Sequence, residues 1–180
     1  MKKHRKAKLT EMTKPPMLVY DKELGTWVER QKIDRTDLGP MVEGYIECAL
    51  WAETCGDFFS DKSYTDMGLG INDITERCLA QMIRDCVYFA NQNDWNLTMH
   101  LGSKFNKNPK YTERQFGHDF WLSRNGHGAG FFDHKKPQTD NDPTIWDVFQ
   151  MNAVKSGPCE LYLTEWQEID LLMALAYTEV

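Results

Sequence analysis

The chain has 180 residues, 41% of them hydrophobic and 27% charged, with a formal net charge of −6. That balance excludes disordered and collagen-like classes and supplies one ordinary hydrophobic core; a second core would leave each half near the lower size limit. The charge is uneven, because residues 1–15 carry Lys2, Lys3, Arg5, Lys6, Lys8 and Lys14 against Glu11 alone, a net of +5, which leaves −11 for residues 16–180.

An acidic body disfavours a broad phosphate-binding surface, since nucleic-acid affinity depends on clustered Lys and Arg releasing counterions. The arm at 1–15 is read as a flexible, solubilising terminus that could also touch nucleic acid or an acidic partner. Residues 16–180 are read as a single α+β domain. Cys48, Cys55, Cys78, Cys86 and Cys159 form an odd set without a C-x-x-C pair, which fits neither a disulfide framework nor a zinc ribbon and suits a reducing cytosol. No apolar segment of signal-peptide length follows the basic start, and no run approaches the roughly 18 apolar residues of a membrane span, so no membrane role is expected.

In chain order, Met17–Tyr20 and Thr26–Glu29 alternate apolar and polar residues about a Gly25 turn and predict a small hairpin. Pro40 opens a helix to about Glu53, with Met41, Tyr45, Ile46, Ala49 and Leu50 on one stripe. Glu43 and Glu47 share another face of it, either as a solvated pair or as an acid–base or cation-binding pair. Residues 55–71, with Gly56, Gly68 and Gly70, read as a loop. Asp73 and Glu76 have capping-box spacing before an amphipathic helix from about Ile74 to Asn91. A strand is possible over 95–102.

The segment Lys104–Arg114, with Phe105 and Tyr111, has the basic-plus-aromatic look of single-strand binders. Thr112 and Gln115 could cap one helical turn. Asp142-Pro143 starts another helix carrying Ile145, Val148, Phe149 and Asn152, stopped by Ser156-Gly157-Pro158. Cys159–Leu163 is strand-like. Thr164 and Gln167 repeat the capping spacing, and Trp166, Ile169, Leu172, Met173, Ala176 and Tyr177 predict a final helix. The expected class is therefore α+β, a small antiparallel sheet packed by helices.

Gly117–Asp133 reads GHDFWLSRNGHGAGFFD. Asn125-Gly126 between runs of strand-forming residues signals a type I′ turn, which predicts a central β-hairpin over about 118–133. In that register Arg124 faces His127 and His118 faces Asp133. The two ends lie roughly 20 Å apart at about 3.3 Å per residue, so one site cannot hold both. His118 and Asp133 then form a pair at the base, either a structural hydrogen bond or a dyad. Arg124, Asn125 and His127 form a tip group able to hold an anion or a partner's carboxylate. His134 points to the other face, three converging ligands are missing, and no metal or other cofactor is expected. Walker, G-x-S-x-G and H-E-x-x-H motifs are absent from the sequence.

The same stretch resembles the pattern GHDFWLTRNGHGAGFWDR of a family of small bacteriophage and prophage proteins, with Ser123, Phe132 and His134 replacing Thr, Trp and Arg. Tyr45–Thr54, YIECALWAET, is similar to the family's first segment, and the likeness runs from about Gly44 to Leu163. It carries over no catalytic residues. It implies a phage-encoded protein working in the host bacterial cytoplasm. Two functions follow as expectations. One is a non-enzymatic accessory protein that binds and perturbs a host protein as an anti-defence inhibitor, which the acidic body and the lack of a converging catalytic set favour. The other is a small enzyme or nucleotide-binding protein for a phosphate-bearing ligand, using Arg124, Asn125 and His127, or His118 and Asp133.

Overall fold

The computed structural model describes residues 18–21, 26–29, 32–54, 61–93, 111–134, 144–165 and 167–173. They fall into two compact units, Met1–Lys32 and Ile33–Val180. In the first, β1 (Leu18–Asp21) pairs antiparallel with β2 (Thr26–Glu29), Leu18 opposite Glu29 and Asp21 opposite Thr26. This is the hairpin that the alternation predicts. The basic arm lies outside the described residues, as do the expected strand at 95–102 and residues 104–110 of the basic segment.

The second unit is α+β. Helix α1 (Pro40–Ala52) starts with Pro40 after Gly39, whose φ of 81° suits a residue without Cβ, and buries Val42, Tyr45, Ile46, Cys48, Ala49 and Leu50. Helix α2 (Glu76–Gln92) buries Cys78, Leu79, Met82, Cys86 and Phe89. Its cap differs from the expected one: Thr75 accepts from the Cys78 amide, while the Asp73 carboxylate accepts from the Gly70 amide one turn earlier. Burial pushes the thiols of Cys48 and Cys78 up to about 12, so both are protonated packing groups.

The central β-hairpin is not formed. Glu113–Asn125 is helix α3, capped by Thr112, whose hydroxyl accepts from the Gln115 amide. Gly126 ends it in the left-handed conformation at φ 70°, and the His127 amide returns to the Leu122 carbonyl. Gly126 satisfies a helix stop with the same positive φ that a hairpin turn requires, so Asn-Gly alone does not separate the two. Phe131–His134 then forms a single 3-10 turn.

Helix α4 (Ile145–Lys155) carries a complete capping box between Thr144 and Asp147. Beyond Gly157, at φ 75°, β3 (Cys159–Leu163) pairs antiparallel with β4 (Ile169–Met173), Cys159 opposite Met173. The predicted final helix is thus a strand over 169–173. Gln167, at φ 59°, makes the turn, and an Ile74–Ile169 bridge ties β4 to the start of α2. The core is aromatic where the helices meet: Phe89 lies flat on Phe120 at 3.9 Å, Phe116 and Phe131 pack against Phe89, and Phe149 packs on those two in turn. No helix among the described residues is long and apolar enough to cross a membrane.

Candidate functional site

The site is set by how closely α1 and α3 cross. A Cβ on Gly44 would overlap the Arg114 carbonyl oxygen, and one on Gly117 the Met41 carbonyl oxygen. Backbone therefore packs on backbone, and the Arg114 guanidinium bridges to Glu43 and Glu47 beside the crossing. Glu43 and Glu47 each pair with Arg114 across the two helices while staying substantially exposed, which fits charges on a solvated helix face. The chain then reverses through Gly126, Gly128 and Gly130, all at positive φ. Gly130 has no room for a Cβ, which would meet the Asp119 carbonyl oxygen and the Ser123 side chain. Phe131 seats in the aromatic core and donates its amide to Ser123 Oγ at 3.0 Å. This return lays residues 127–134 back along α3.

The result is a cavity of about 680 Å³, a ligand-sized volume. It is lined by the end of α1 (Trp51), the loop carrying Asp61, Ser63 and Asp66, the α3 side chains Gln115, His118, Asp119 and Leu122, and the returning His127, Asp133 and His134. Three histidines that no hairpin register unites, His118, His127 and His134, line this one cavity. Asp119 anchors His134 and lies beside His118. It is 2% exposed and accepts from Tyr111 Oη at 2.8 Å, Gln115 Nε2 at 2.8 Å and His134 Nε2 at 2.7 Å. Burial alone would raise its pKa, but these bonds and the neighbouring His118 outweigh that and hold the carboxyl below its ordinary value. His134 stacks on Trp146 at 4.5 Å, so its ring is fixed on both sides while a quarter of it stays exposed.

No family model, curated protein or solved structure matches this chain.

His118 and Asp133 both line the cavity but do not pair with each other as expected: His118 Nδ1 sits 3.7 Å from Asp119 Oδ1, its ring against Trp51, and Asp133 accepts from the Gly130 amide. His127 Nε2 bonds Glu53 Oε1 at 2.9 Å, and Trp121 Nε1 holds the same oxygen. Arg124 departs furthest from expectation. Its side chain is 1% exposed and donates to Tyr45 Oη and Asp85 Oδ2, each at 2.6 Å, and to the carbonyls of Gly157 and Ser156. Asn125 accepts from the Cys159 amide. As helical residues, Arg124 and Asn125 turn into the protein; the proposed tip group dissolves, leaving His127 alone at the cavity.

Sequence reasoning missed Asp119 and Glu53, set His134 on the wrong face, and read Tyr111 only as an aromatic of the basic segment. The available signal was the Thr112 cap: extended as helix, it places Gln115 and Asp119 four residues apart on one face. Among the described residues no three His, Cys, Asp or Glu side chains come together to hold a metal ion.

Proposed function

We propose that this protein is a small hydrolase that works by general acid–base chemistry on an uncharged or cationic ester-like substrate. The observation that carries this reading is the 2.7 Å bond between buried Asp119 and cavity-lining His134. A carboxylate that fixes one imidazole nitrogen selects the tautomer and leaves the other, Nδ1, to take a proton from water as it attacks. Asp61, Asp66, Asp119 and Asp133 line the cavity, and no Lys or Arg stands among its described lining residues, which opposes a phosphate-bearing ligand. The resemblance supports a phage protein acting in the host cytoplasm as its setting. A non-enzymatic binder of a host protein loses Arg124 and Asn125 as contact residues, because both are used inside the fold.

The test is hydrolysis of p-nitrophenyl acetate by wild type and His134→Ala, measured against an equal concentration of free imidazole. Wild type should exceed imidazole and the variant should lose about 10²–10⁴-fold. Equal rates for the two proteins, or wild type no faster than imidazole, overturn the reading.

A further inference from the structure

A second imidazole–carboxylate pair joins cavity-lining His127 to Glu53 behind it, and the base chemistry at His134 leaves it unused. Resting on the hydrolase reading, we propose that His127 is the general acid that protonates the departing group, with Glu53 as its positioning residue.

The placement is built. Glu53 is the C-terminal cap of α1 in extended conformation, only 18% exposed, and its Oε1 is held by Trp121 Nε1 at 3.3 Å as well as by His127. Trp121 is fully buried, so the carboxylate is fixed to the core. His127 follows the left-handed Gly126, is 29% exposed through its side chain, and lines the same cavity as His134. Its Nε2 is engaged by Glu53, which leaves Nδ1 as the donor. Two imidazoles, each with its own carboxylate, suit a reaction that removes one proton and delivers another in a single turnover.

In hydrolysis the balance is complete with water alone. His134 takes a proton from water as its oxygen bonds to the carbonyl carbon. The carbon–oxygen bond to the leaving group breaks, and that oxygen takes the bond's electron pair and a proton from the His127 imidazolium. One acid and one alcohol are released, and the two histidines recover their starting states by exchange with solvent.

The experiment varies how much the leaving group needs a proton. p-Nitrophenolate departs as an anion, whereas ethoxide does not, so p-nitrophenyl acetate and ethyl acetate are hydrolysed by wild type, His127→Ala, His127→Gln and His134→Ala, with acid release read by pH-stat. His127→Ala and His127→Gln should lose about a hundredfold on ethyl acetate. They should keep p-nitrophenyl acetate hydrolysis within about threefold, while His134→Ala loses both. Equal losses on the two esters, or none, in both His127 variants overturn the acid role while leaving the base reading standing. Wild type inactive on both esters overturns the hydrolase reading and this inference with it. Glu53→Asp should restore more ethyl acetate activity than Glu53→Ala; equal activity removes Glu53 from the positioning role.

Discussion

Arg124 is a cation sealed inside the protein, and its surroundings explain why that is tolerated. Asp85 supplies the opposite charge, Tyr45 and the two carbonyls at Ser156 and Gly157 take further donors, and the guanidinium lies 5.3 Å from the Phe120 ring centre. One side chain thereby ties α1, α2, α3 and the corner before β3. Truncating it leaves the Asp85 carboxylate largely buried and uncompensated, a situation that costs about 3–5 kcal/mol. Arg124→Ala should show that loss in urea unfolding. Arg124→Lys should recover only a fraction, because one ammonium cannot reach carboxylate, phenol and two carbonyls with a fork's geometry. Full recovery by lysine would show that charge alone matters. This role was not legible from sequence: an arginine beside Asn-Gly looks like a turn charge, and only the helical period points it inward.

At the scale of elements, the closest contact is glycine on backbone where α1 meets α3. Gly44→Ala and Gly117→Ala each push a methyl group into a carbonyl of the facing helix, and the helices must part. Overpacking of this kind costs about 1–3 kcal/mol. Since either methyl group separates the same pair of helices, the double variant should cost less than the sum of the two, which a double-mutant cycle in denaturant measures. Strict additivity would mean that the two positions respond independently. The same elements show what sequence can disclose. Amphipathic α2 was legible because only one side of it is buried. Helix α3 was not, since Phe116, Gly117 and every residue from Asp119 to Arg124 are buried, which erases the stripe that marks a helix. In β4 the alternation fails for a related reason: Asp170 is buried beside Ile169 and Leu171 because Arg77 pairs with it at 2.7 Å. Helix-like spacing of the remaining apolar residues then prevailed.

For the molecule as a whole, the candidate site and the stability of the fold meet at Asp119. Its carboxylate joins Tyr111, Gln115 and His134, so it holds the entry to α3, the helix itself and the end of the returning chain as one body. Because its folded pKa lies below that of the unfolded chain, its contribution is fully present above the unfolded carboxyl value of about 3.9 and is lost as pH falls through the lower folded value. Asp119→Asn keeps the shape but removes the charge, leaving a donor amide facing donors. At pH 7 it should be less stable than wild type by about 1–3 kcal/mol. Urea unfolding at a series of pH values should show that gap holding down to about pH 4 and narrowing below it, as the wild-type carboxylate takes up its proton. A gap that stays constant into strong acid would locate the stabilisation in packing, and it would remove the charged anchor on which His134's orientation depends.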